Sequence, residues 1–265
     1  MIRTRFRRML LLAVLGAILL TPQSLLAHFG AVLPNHSMLD QDTRSTQVDF
    51  AFLHPFEQAG MELEKPARVT VTPLDGRQAR EITGELQPKE ILGHQGWQTT
   101  FQPRRPGVYC LTMEPKPYWE EAENLFIKHI TKTYLAAFGQ ESGWSEPLGL
   151  KTEIVPLSRP FGLYAGNVFQ GRVLMDGQPV PGAEVEVEYM NTGGRAQAAS
   201  PYMVTQVVRA DDNGVFTYAA PKAGWWGFSA LNEADYTLKH QGEDKGVELG
   251  AVIWVEFLPW QQITP

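Results

Sequence analysis

Histidine is the residue type through which this chain could do chemistry. Six occur in 265 residues, and the first, His28, follows Ala27 where a secretory leader would be cut. Cleavage there would place a free α-amine and an imidazole on one residue, and such a pair closes a chelate ring on a metal ion. The amine titrates at about 7.7–8.0, so a metal can displace its proton near neutral pH. An amino-terminal copper–nickel motif needs histidine third, where Gly30 stands, and His28 must therefore recruit ligands from elsewhere. His54 precedes Pro55 at a predicted strand end and stands three residues before Glu57. His94 follows Gly93 in a turn, and His129 lies inside the strand-like run Leu125 to Tyr134. Glu57 would supply an oxygen or hold a histidine in its ligating tautomer. His36, in a polar loop, and His240, in Lys239-His240-Gln241-Gly242-Glu243, read as surface residues.

A nitrogen and oxygen donor set suits Ni²⁺ or Cu²⁺, whereas sulfur ligands would favour Cu⁺. The single cysteine, Cys110, sits in an alternating strand and reads as a small buried hydrophobe. The sequence contains no Cys-x-x-Cys, His-Glu-x-x-His or His-x-His, which removes the compact zinc and copper motifs. Gly227-Phe228-Ser229-Ala230-Leu231 begins like a nucleophile elbow but lacks its closing glycine. Asp211-Asp212-Asn213-Gly214 lacks EF-hand spacing and reads as a hairpin turn. Trp225-Trp226 reads as core or rim of a sandwich. The chain is not expected to be an enzyme.

The elements that must position these histidines are strands. Arg3, Arg5, Arg7 and Arg8 precede an uncharged run from Met9 to Leu20, the order of a secretory leader, and the run is short of the ~20 residues a membrane span needs. The leader is expected over residues 1–27, with export to the periplasm and no membrane insertion afterwards. The net charge of −6 includes those four arginines; without them 19 basic side chains face 29 acidic ones, a charge of −10. That balance disfavours nucleic acid. The 24 glycines and 19 prolines punctuate short apolar runs without a persistent 3.6-residue period. An all-β fold is predicted, with two immunoglobulin-like β sandwiches: residues 28–155, carrying the metal site, and residues 156–265, a scaffold. In the run Glu184 to Tyr189, alternation predicts Val185, Val187 and Tyr189 inward and the glutamates outward.

Ala27-His28, His54-Pro55-Phe56-Glu57, Gly93-His94 and Phe126-Ile127-Lys128-His129 together resemble the NikM-like bacterial family of periplasmic proteins associated with nickel uptake. The Asp176-Gly177 hairpin, Pro179 to Ala183 and the Asp211 to Gly214 turn resemble carboxypeptidase-regulatory-like and collagen-adhesin B-type modules. The resemblance implies a soluble accessory component that binds Ni²⁺ before Co²⁺ or Cu²⁺ and works with the membrane components of a nickel or cobalt transporter. His28, His54, His94, His129 and Glu57 are the expected ligands. Two other readings use the same residues differently: a copper-dependent histidine-brace oxidative enzyme, which also needs His28, and a metal-free structural or adhesion module.

Overall fold

The computed structural model of the chain describes residues 27–260. Of the leader expected over residues 1–27, all but Ala27 lies outside the described residues. Among the described residues no helix is long and apolar enough to cross a membrane, and the chain is built from strands joined by turns and three short 3₁₀ segments.

The strands that matter to the site and core, in chain order, are β1 (Phe29–Pro34), β2 (Thr46–His54), β3 (Arg68–Pro73), β4 (Gln87–Ile91), β5 (His94–Phe101), β6 (Gly107–Glu114), β7 (Tyr118–Glu120), β8 (Leu125–Ala137), β9 (Thr152–Pro156), β10 (Val168–Met175), β11 (Glu184–Tyr189), β12 (Gln206–Arg209), β13 (Val215–Ala219), β14 (Gly224–Glu233) and β15 (Val247–Leu258). One sheet runs β1-β2-β5-β4, with Ala59–Met61 added beside β2. A long sheet runs β12-β11-β14-β15-β8-β6-β3, and a third pairs β9 and β13 with the two edges of β10.

The long sheet draws strands from both sides of residue 155, because β8 and β15 pair in parallel from Phe126↔Val247 to Thr133↔Trp254. The two halves are therefore not separate sheets, and the division expected near residue 155 falls on β9. Period-two alternation explains how one sheet serves three cores. Leu111, Met113 and Leu135 face the first sheet and meet Val32, Phe50 and Phe101. Their neighbours Cys110 and Tyr134 face the other way, into a core with Ile154, Phe169 and Phe216. A smaller cluster of Ala27, Phe29, Ala31, Leu53, Val252 and Trp254 seats β1 on the long sheet.

Two expectations fail on burial. Glu188 is 0% exposed, not outward, because the turn after β2 covers it: its Oε2 accepts from the Phe56 N–H at 3.2 Å. His240 is not a free surface residue, since its ring stacks on Trp119 with centroids 3.7 Å apart.

Candidate metal centre

His28 immediately precedes β1, and β1 runs antiparallel to β2 with Phe29 opposite Leu53. The next position in that register sets His28 against His54, and the two rings lie with centroids 4.7 Å apart. Pro55 ends β2 because it lacks a backbone donor, which leaves His54 as the last residue of the strand. The turn beyond it is fastened to the long sheet: the Asn191 N–H donates to the Pro55 carbonyl at 3.2 Å, and Asn191 Nδ2 donates to the Phe56 carbonyl at 3.0 Å.

His129 reaches the same place from the middle of β8. Gly30 and Gly250 make room for it. A Cβ on Gly30 would lie 2.2 Å from Thr131 Oγ1 and 3.1 Å from His129 Cβ, and one on Gly250 would lie 2.3 Å from His129 Cδ2. Phe52 fills the space between the imidazoles, stacked on His28 at 5.6 Å and edge-on to His129 at 5.8 Å.

Each of the three rings hydrogen-bonds to an oxygen, and this fixes its tautomer. His54 Nδ1 lies 2.9 Å from the Ala27 carbonyl; a carbonyl only accepts, so Nδ1 carries the proton. His28 Nε2 lies 3.1 Å from Glu120 Oε2. Burial first, and then the neighbouring His54, hold the His28 imidazole down at about 4, against the pull of Glu120. It is therefore neutral at pH 7, donating through Nε2 and leaving Nδ1 bare. His129 Nε2 lies 2.9 Å from Glu248 Oε1. Burial alone would raise the Glu248 carboxyl, but the hydrogen bond and charge of His129 outweigh it and hold it below the ordinary range. That carboxylate accepts from Nε2–H, and His129 Nδ1, in a residue 1% exposed, has no partner.

The surroundings are acidic. Glu123 is raised by burial and then by Glu248 and Glu120, and Glu186 is pushed up to about 7 by burial and then by Glu248 and Glu123. Three imidazoles, two of them held by carboxylates, make a donor set suited to a divalent cation. Among the described residues no three His, Cys, Asp or Glu side chains stand close enough together to hold a metal ion. Beside the site lies a cavity of about 360 Å³, with His129, Phe52, Tyr118, Trp119 and Phe126 among its lining residues.

His94 and Glu57 are not part of this group. The Leu92–Gly93 turn, with φ of 52° and 80°, swings His94 out to 43% exposure against Glu62, 3.2 Å from its Nδ1. Glu57 is exposed, and its charge helps to raise the Glu188 carboxyl. Glu120 and Glu248 take the carboxylate role expected of Glu57. Neither carries a local signal, since each meets its histidine across 92 and 119 residues of chain.

The fold and site define an all-β protein of packed sheets with a buried cluster of histidines and carboxylates. The chain belongs to the family described as Domain of unknown function (DUF4198), whose model matches residues 25–234. None of the curated proteins compared with it matches. Among solved structures it is similar to the D0-D1 domain of Intimin (12% identity, TM-score 0.24, covering 87% of this chain and 99% of that one). It is also similar to trypsin-activated alpha-2-macroglobulin from Escherichia coli (9% identity, TM-score 0.26, 87% of this chain but 16% of that one). A third is a putative carbohydrate binding protein from Bacteroides uniformis (10% identity, TM-score 0.23, 83% of this chain and 96% of that one).

Proposed function

We propose that the protein is an exported, periplasmic metal-binding protein of the NikM-like type. It takes up Ni²⁺, ahead of Co²⁺ or Cu²⁺, at His28, His54 and His129, and serves membrane components of a nickel or cobalt transporter. In this reading the second half, whose hairpins resemble carboxypeptidase-regulatory-like modules, supports the site. The observation that carries the proposal is His129 Nδ1, an imidazole nitrogen with no hydrogen-bond partner in a buried position. A buried polar atom without a partner costs roughly 1–3 kcal/mol, and a cation held there would remove that cost. Glu248 behind His129 repeats the carboxylate–histidine arrangement that orients metal ligands, and the acidic surroundings favour a cation over an anion.

Titration calorimetry of the mature protein with Ni²⁺, Co²⁺, Cu²⁺ and Zn²⁺ tests this. His54→Ala and His129→Ala should each weaken Ni²⁺ binding by tenfold or more, while His94→Ala leaves it unchanged. Binding of none of the four ions below micromolar concentration, or an equal loss in His94→Ala, would overturn the proposal and leave the metal-free structural reading in front.

The aromatic cavity beside His129 favours a second reading, a copper-dependent oxidative enzyme whose substrate occupies that cavity. Oxygen consumption by the copper-loaded protein with a reductant would support it over a carrier.

A further inference from the structure

The Ala27 carbonyl is the hydrogen-bond acceptor of a proposed ligand and also the acyl oxygen of the peptide bond at which the leader is expected to end. His54 Nδ1 donates to it across 2.9 Å. Within a peptide unit the oxygen and nitrogen are separated by about 2.3 Å, from bond lengths of about 1.23 and 1.33 Å. The backbone nitrogen of His28 is therefore within about 5 Å of His54 Nδ1. Ala27 itself is 4% exposed and wedged among Phe29, Ala31, Leu53 and Trp254.

We propose that leader removal switches the metal site on by exchanging His54's partner. While residue 27 is attached, its carbonyl holds His54 in the Nδ1–H tautomer and ties the ring away from a common metal position. Hydrolysis breaks the Ala27–His28 C–N bond: water adds its oxygen to the Ala27 acyl carbon, which leaves as a carboxylate with the leader, one water proton goes to the His28 nitrogen, which becomes an amine, and the other goes to solvent. One step thus removes the acceptor that occupied His54 Nδ1, empties the slot filled by the Ala27 methyl, and places a new nitrogen donor beside it. The amine and ring of His28 can then chelate together with His54, whose Nδ1 is free to carry a lone pair. The precursor is metal-incompetent and the processed protein competent, so loading follows export.

This inference rests on the metal-binding reading above, and two forms of the protein separate them. One begins at His28, released from a fusion by a protease that leaves no extra residue. The other retains Ala27 with an acetyl cap, which preserves the acceptor carbonyl. Equal thermal unfolding midpoints establish that both are folded. In metal-free protein, ¹⁵N NMR of the His54 ring should show a single Nδ1–H tautomer in the acetyl-Ala27 form and loss of that fixed state in the His28 form. Ni²⁺ alone, and then Cu²⁺ alone, should bind the His28 form at least tenfold more tightly, and His54→Ala should narrow that difference to the part the new amine supplies by itself. Identical His54 tautomers, or equal affinities in the two forms, would overturn the switch while leaving metal binding in place. Binding of neither ion by either form would overturn both.

Discussion

Replacing Gly250 by alanine tests how the long sheet holds His129, independently of any metal. In the parallel β8/β15 register Gly250 stands opposite His129, and an added Cβ would meet Cδ2 at 2.3 Å, Nε2 at 2.7 Å and Cγ at 2.9 Å. No carbon tolerates such approaches, and the obstacle is a ring in a residue 1% exposed, not the tip of a flexible chain. The ring must shift and give up its bond to Glu248. A hydrogen bond to a charged group contributes about 1.5–3 kcal/mol, and overpacking costs about 1–3 kcal/mol. Against this, removing a glycine from a strand recovers roughly 0.5–1 kcal/mol of chain entropy. Gly250→Ala should therefore destabilise the protein by about 2–5 kcal/mol, read as a lower guanidinium midpoint at an unchanged slope. In a His129→Ala background the obstacle is gone, and the same substitution should cost less than ~0.5 kcal/mol, so the cycle should be strongly non-additive. Equal cost in both backgrounds, or no cost in the wild type, would refute this account of the packing.

Lys132 and Glu153 form an ion pair at 2.6 Å with side chains 1% and 2% exposed. Lys132→Met should cost about 3–5 kcal/mol by stranding the carboxylate, and the Lys132→Met/Glu153→Leu double variant should be more stable than Lys132→Met alone; a double variant as weak as the summed singles would contradict this. Glu188 is pushed from 4.5 up to about 8, chiefly by burial, so the folded state holds a proton the unfolded state releases. Wild-type stability should therefore fall as pH rises from 4.5 to 8, by on the order of a few kcal/mol at ~1.4 kcal/mol per unit. Glu188→Gln should flatten that slope, and parallel pH profiles of the two proteins would show the assignment to be mistaken. Cys110 is 0% exposed, and burial raises its thiol to about 11. Ellman's reagent should titrate it only after unfolding, and reaction in native buffer at a free-thiol rate would count against its burial.

Much of this architecture is present in local sequence, because local rules determine it. Glycines and prolines separate runs with a period of two, and those runs are the strands. Pro55 ends β2 at His54 because a missing backbone donor ends a ladder anywhere. The same alternation distinguishes Cys110 from Leu111 and places them on opposite faces. His28, His54, His94 and His129 stand out by residue type and by position at an expected leader junction, a strand end, a turn and a strand interior. Alternation also misleads, however: Glu188 occupies an outward position, yet the turn after β2 covers that face.

Pairing is what the sequence leaves open. An alternating run specifies which side chains share a face, but not which other strand will lie alongside it. That choice depends on burying every strand at once. The parallel pairing of β8 with β15 joins segments more than a hundred residues apart, merges the two predicted halves in one sheet, and brings Glu248 to His129. The folding of β7 back on β8 likewise brings Glu120 toward His28, while the turn before β5 carries His94 away. The chain marked four histidines as candidates, and only the tertiary structure separated His94 from the other three. Their tautomers, and hence which nitrogen each can offer, were decided only by the oxygen atoms that the tertiary structure set against them.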